Sequence, residues 1–328
     1  MALPADEALG AKGDGRSMNS FKDILSPEFL YAIFRVTTPI LYAALGVAIS
    51  ELAGVQNIAL EGIMLVSAFT GVVLSAFTHS LLVALAGGIC AGIILALALG
   101  YFHLALKANI TLSAIALNML ASGLTVFLLF FFAGDKGSST SLKSLVFPEV
   151  SISFLTSIPV LGRIVSGHNV LTYVAFLLVP VFYVLVYRTP LGLRIRAVGQ
   201  NTHAAESVGI NANRIKLIAL VLSGVFGALG GLYLSMGYVS WFSRDMTAGR
   251  GFIAIAASTL GGLAPLGVML SSLLFGFVNA FAIYIAALKI PSELIQVIPY
   301  VMTVVALVIF AIRTQAEKNR MRQEEGKK

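Results

Sequence analysis

Few side chains in this sequence have the type and spacing to do chemistry, and those few exclude most reactions. Four histidines, His79, His103, His168 and His203, stand too far apart for an H-x-x-x-H metal pair. The single cysteine, Cys90, lies in an apolar run, so no intrachain disulfide and no cysteine-based metal site is expected. The chain has no G-x-x-x-x-G-K-[ST] phosphate loop, no H-E-x-x-H and no G-x-S-x-G. The polar residues left over sit singly in long apolar stretches: Asn57 and Glu61, then Asn118, then Asn279. Glu61, in Gly54-Val55-Gln56-Asn57-Ile58-Ala59-Leu60-Glu61-Gly62, has two readings. In one, Asn57 caps a helix and Glu61 is a first-turn acid favoured by the helix dipole. In the other, Glu61 is buried among helices and organises a pathway, and Glu61→Gln should then be tolerated better than Glu61→Ala. Asn118 and Asn279 read either as helix–helix glue or as pathway lining.

The elements that hold these residues follow from composition. Hydrophobic residues make up 58% of the 328 positions and charged residues 11%, with a mean hydropathy of +0.92. An average soluble domain is about 25% charged, so this chain cannot cover a water-facing surface. A spanning helix needs ~20 apolar residues. Nine segments qualify or nearly so: Leu30–Ser50, Ile58–Phe77, Leu81–Leu106, Ile110–Phe132, Val170–Tyr187, Ile215–Tyr238, Phe252–Gly262, Leu266–Leu288 and Leu294–Ile312. The seventh is too short to span and is cut by Gly261, Gly262 and Pro265, which suggests a half-helix. The runs are continuous rather than alternating, so the expected fold is all-α, a polytopic transmembrane bundle of about nine segments, some broken. Gly88-x-x-x-Gly92 and Gly227-x-x-x-Gly231 would let helix backbones approach closely. Pro39, Pro180 and Pro299 fall inside spans, which suits helices that are buried or line a cavity. Trp241 and Phe242, after the sixth span, read as an interfacial belt.

Charge sets the expected orientation. The net charge is +7, an excess read here as a positive-inside signature and not a nucleic-acid footprint. Residues 188–216 hold five basic residues and one acid, and the tail 313–328 holds six and three; both are expected in the cytoplasm. Residues 133–169, with three basic and two acidic, are expected outside. The domain division is then a polar leader at 1–29, disordered or a short surface segment, a transmembrane domain at 30–312 and a basic tail at 313–328. The first 17 residues lack an apolar core, so no cleavable signal is expected there. Within 188–216, Thr202-His203-Ala204-Ala205-Glu206-Ser207-Val208 can form a short helix capped by Asn201 or Thr202 and ended by Gly209. Its small residues suit docking into a groove on a partner.

Several stretches match one group of transport proteins. They are Thr38-Pro39-Ile40-Leu41-Tyr42-Ala43-Ala44-Leu45-Gly46, the Gly54–Gly62 run continued by Ile63-Met64, Arg188-Thr189-Pro190-Leu191-Gly192 with Ala197-Val198-Gly199-Gln200-Asn201, and Gly249-Arg250-Gly251-Phe252-Ile253-Ala254-Ile255-Ala256. In these the chain resembles permease subunits of ATP-binding-cassette importers of the branched-chain-amino-acid/ribose superfamily, and within it the nucleoside branch of simple-sugar (basic-membrane-protein) permeases. The likeness covers most of 30–312; Ser50-Glu51-Leu52-Ala53 and the short tail depart from it. The resemblance implies a bacterial plasma-membrane protein working with a second, paralogous permease chain, a cytoplasmic ATPase and an extracytoplasmic substrate-binding lipoprotein. ATP and magnesium would act through the ATPase, with no cofactor in this chain. It also implies a coupling helix, which falls on Asn201, Ala204, Ala205, Glu206, Gly209 and Ile210. Riboflavin, simple sugars and branched-chain amino acids are the alternative solutes, and a self-contained channel or secondary carrier is a distant alternative.

Overall fold

The computed structural model describes residues 26–151 and 164–286, together with 301, 304, 305 and 308. In chain order the helices are α1 (Pro27–Leu52), α2 (Leu60–Thr78), α3 (Leu81–Gly100), α4 (Ile110–Ala133), α5 (Val170–Arg188), α6 (Pro190–Gln200), α7 (Thr202–Ser207), α8 (Ala212–Tyr233), α9 (Arg250–Leu260) and α10 (Pro265–Ala286). Single π turns extend α3 through Tyr101–Ala105 and α8 through Leu234–Tyr238. Two-residue strands, β1 (Glu149–Val150) and β2 (His168–Asn169), pair antiparallel before α5.

Seven helices among the described residues are long and apolar enough to cross a membrane. The expected seventh segment is α9, only 11 residues, which at ~1.5 Å per residue is about half of a ~30 Å hydrocarbon core. Gly249, left-handed at φ +77°, starts it, and the turn through Gly261 and Gly262 (φ +62°) ends it. The expected ninth segment, Leu294–Ile312, lies outside the described residues except at 301, 304, 305 and 308.

The centre of the bundle is α1. Ser26 caps it by accepting from Phe29 N at 3.2 Å, Pro27 opens it, and from Val36 to Ser50 every residue is buried. Glycines set how neighbours seat on it. A Cβ on Gly46 would lie 3.0 Å from the Ser223 carbonyl oxygen, and one on Gly230 would lie 3.1 Å from that of Pro39, so α8 runs antiparallel to α1. Both expected small-residue pairs pack the bundle: Gly88 and Gly92 of α3 meet Leu232 and Gly224 of α8, while Gly227 and Gly231 of α8 meet Leu60 and Met64 of α2.

These contacts fix depth. Ser223, Gly227, Gly231 and Ser235 of α8 stand level with Asn57, Leu60, Met64 and Ala68. The start of α2 is therefore level with Gly227, fifteen residues into α8 and roughly 22 Å along it. The non-helical residues Val55–Asn57 lie inside the membrane thickness. Val55 and Asn57 of the break are buried in protein and Gln56 is half-buried, a setting in which non-helical backbone is tolerated. Likewise α10 runs antiparallel to α1, with Gly276 on Thr37 and Tyr284 against Phe29, so it begins near the C-terminal end of α1. Just ahead of it, α9 runs from mid-depth to that same end.

Candidate functional site

Two helix starts converge at mid-depth, and Glu61 joins them. Its Oε1 accepts from Gly249 N at 2.7 Å and its Oε2 from Gly251 N at 2.7 Å. Gly249 is the N-cap of α9 and has no side chain to cap it, so the carboxylate arriving from α2 replaces the missing cap. Glu61 is also in the first turn of its own helix. The positive ends of two helix dipoles thus flank one negative charge. A charge at mid-bilayer costs about 3 kcal/mol on insertion scales. Two charge-assisted bonds at about 1.5–3 kcal/mol each offset that cost. Gly251 is what permits the approach: a Cβ there would lie 2.6 Å from Glu61 N and 2.8 Å from its Cα.

Asn118 and Asn57 hold the other side of the break. Asn118 reaches from α4, its Oδ1 accepting from Gly62 N at 2.8 Å and its Nδ2 donating to Ile58 O at 3.0 Å. The N-cap residue of α2 is Ala59, which offers no side-chain acceptor, so the expected local cap by Asn57 is supplied by Asn118 instead. Fully buried Asn57 braces the approach: its Oδ1 accepts from Ala59 N at 3.1 Å and its Nδ2 donates to Ser223 Oγ at 2.9 Å. Glu61 is thus an organiser within the bundle as well as a first-turn acid.

At the end of α1 lies the segment expected to couple. Asn201 caps α7, its Oδ1 accepting from Ala204 N at 3.0 Å, and Gly209 follows in the left-handed region at φ +83°. The intervening helix α6 was not anticipated. It is seated hard against α1: a Cβ on Gly199 would lie 2.0 Å from the Leu52 carbonyl oxygen and 3.1 Å from Gly54 N. Ala205 corrects the expectation for a partner contact, because it is 4% exposed and packs into the chain's own core. Ala204, Glu206 and Gly209 are exposed, as is Val208, while Ile210 is half-buried and donates its N–H to the Ala205 carbonyl oxygen.

Comparison with known proteins places this architecture. The family model "Branched-chain amino acid transport system / permease component" matches residues 29–307. The chain belongs to this family of permeases. The permease is 35% identical over 295 residues to the guanosine ABC transporter permease protein NupQ of Bacillus subtilis, covering 85% of this chain and 91% of NupQ. It is 32% identical over 312 residues to the nucleoside ABC transporter permease protein NupC of Lactococcus lactis, covering 92% and 96%. A second protein from each bacterium also matches: NupP at 25% over 85% of this chain, and NupB at 30% over 47% of it. Among solved structures, PsaBC from Streptococcus pneumoniae in complex with Fab is similar with a TM-score of 0.51 at 13% identity, covering 87% of this chain and 93% of that one. At that identity the likeness concerns the fold alone.

In the permease, Asn279 lies on α10 with its Nδ2 donating to Phe275 O of its own helix at 2.9 Å, one turn from where Gly276 meets Thr37. Phe242 is not in an interfacial belt; it is fully buried against Phe69, with ring centroids 5.3 Å apart, because the chain after α8 folds back into the bundle. Arg35 is a further polar anchor of the bundle, outside the residues singled out from sequence. Its guanidinium donates to the Tyr238 carbonyl oxygen and lies 4.4 Å from the centre of the Tyr238 ring. An arginine inside the apolar run Leu30–Ser50 was the available signal.

Proposed function

We propose that this permease is one membrane half of an ATP-driven importer that moves nucleosides across the bacterial plasma membrane. The observation that carries the solute class is the Glu61 joint. Helix N-termini at mid-membrane are natural receivers for a substrate carboxylate or phosphate. Here the permease's own carboxylate occupies both, bonded to Gly249 and Gly251. An amino-acid solute would bring an anion to a place whose donors are already taken, whereas an uncharged polar solute needs no counter-ion. The names of NupQ and NupC support a nucleoside as that uncharged solute.

In this reading α7 faces the cytoplasm and docks on the ATPase through Ala204, Glu206 and Val208, with Asn201, Gly209 and Ile210 setting its shape. ATP and magnesium act on that partner. A path leads inward from it: α7 packs on α6, Gly199 of α6 meets Leu52 and Gly54, the chain continues through Asn57 into α2, and Glu61 of α2 bonds α9. Force at α7 thereby reaches the half-helix pair. The pairing of NupQ with NupP and of NupC with NupB in single organisms supports a paralogous second permease, and an extracytoplasmic binding protein would deliver the solute. The basic excess of 188–216 and 313–328 supports a cytoplasmic C-terminus.

The test is uptake by the assembled complex in proteoliposomes. ATP-dependent accumulation of a nucleoside is expected, with Ala204→Arg and Val208→Arg cutting it while the complex still forms in the membrane. Accumulation of leucine in place of nucleosides would overturn the solute class. Full coupled uptake by both variants would overturn the docking face.

A further inference from the structure

Beside the Glu61 joint, a charged pair sits where lipid could not tolerate it. Arg244 Nε lies 3.3 Å from Asp245 Oδ2, and the two side chains are 62% and 53% exposed. Ser122 Oγ donates to Asp245 Oδ1 at 2.9 Å. Ser122 is the midpoint of α4, a 24-residue apolar helix, twelve residues from its start and eleven from its end. It is one helical turn along from Asn118, which caps α2 at the joint. Asp245 is therefore level with the middle of a helix long and apolar enough to span, while the Arg244 backbone is held by the segment that follows that helix. Half-exposed charges there must face a water-filled pathway or another protein, because hydrocarbon offers them no partner.

The local backbone holds the pair in place. Asp245 is in the left-handed region at φ +52°, and the Arg244 N–H donates to the Gly137 carbonyl oxygen at 2.9 Å. Ala248 N and Arg250 N then donate to Asp245 O and Thr247 O in successive turns that lead into α9. Among the described residues the two terminal nitrogens of Arg244 have no hydrogen-bond partner. The Asp245 carboxylate, with about four lone-pair sites, has acceptor capacity left after Ser122 and Arg244.

We propose that Arg244 and Asp245 form a solute-contacting step of the translocation pathway that recognises the sugar hydroxyls of a nucleoside. A hydroxyl both donates and accepts, and a vicinal diol does so twice, which matches one donor fork beside one carboxylate. The pair carries no net charge, so a neutral solute meets specific hydrogen bonds without a field that would trap an ion. This assignment rests on the nucleoside reading above and adds the part of the solute that the membrane chain contacts.

The test uses the assembled complex in proteoliposomes, with inosine and 2′,3′-dideoxyinosine as solutes and an unaltered binding protein. The variants are Asp245→Asn, which keeps a residue type at home in the left-handed region, and Arg244→Gln. Inosine uptake is expected to fall by about tenfold in either variant, the scale of one lost hydrogen bond to a charged group, while dideoxyinosine uptake stays at its wild-type rate. Equal loss for both solutes, or no loss for either, would overturn the assignment. Loss of the second permease from the purified variant complex would identify the pair as an interchain contact and overturn it as well. A wild-type complex that binds ATP and assembles but carries no inosine would instead remove the nucleoside reading on which the ribose contact depends.

Discussion

Replacing Glu61 tests the joint most directly, because both carboxylate oxygens are committed. Glu61→Ala leaves Gly249 N and Gly251 N without their acceptors in a part-buried site between α2, α4 and α9. Each orphaned donor costs about 1–3 kcal/mol, so the joint loses roughly 2–6 kcal/mol. The structure keeps Glu61→Gln as the milder change but makes it costly as well. An amide has one acceptor oxygen, so it can serve only one of the two glycines, and its NH2 then points a donor at the other. Gln therefore loses a charge-assisted bond worth about 1.5–3 kcal/mol and the favourable contact with two helix dipoles. Gates whose states differ by a few kcal/mol respond to such losses. Since about 1.4 kcal/mol is a factor of ten, both variants should cut ATP-dependent uptake by at least about tenfold. The assay is initial uptake in proteoliposomes at matched amounts of assembled complex, with thermal stability of the purified complex measured alongside. Near-wild-type uptake and stability of Glu61→Gln would refute the two-acceptor argument.

Two other outcomes follow from the packing. A methyl on Gly231 would lie 2.0 Å from the Met64 carbonyl oxygen, backbone that cannot move aside, so Gly231→Ala should push α8 from α2 and lower the complex's melting temperature by several degrees; an unchanged melting curve would show that the helices are not packed this closely. His168 is buried, stacked on Tyr31 at 4.0 Å, with its Nε2 donating to the Ile164 carbonyl oxygen at 2.9 Å. Burial, reinforced by nearby Arg35 and opposed by the Ile164 bond, holds its pKa below the ordinary 6.5, so the folded ring stays neutral while the unfolded one takes up a proton. Stability present above pH 6.5 is then lost as pH falls through that value toward the folded pKa. The melting temperature should drop between pH 7.5 and 5.5, and drop less in His168→Gln; equal drops would assign the effect to other groups.

Much of the permease was determined by sequence alone. Spans partition into lipid by composition over ~20 residues, a local property, so eight of the nine expected segments coincide with described helices and the seventh was legible as short from Gly261, Gly262 and Pro265. The α7 cap was legible for the same reason, since Asn201 bonds Ala204 three residues away. What Glu61 does was not legible. Its partners, Gly249 and Gly251, lie 188 and 190 residues along the chain, and they meet it only because glycine contacts set α2 level with the middle of α8. The inward turn of Ala205, the burial of Phe242 and the contact of Asp245 with Ser122, 123 residues away, were decided in the same way. Apolar periodicity says that a helix is in the membrane; in a chain apolar on every face, only close packing between helices sets its depth and which side chains meet.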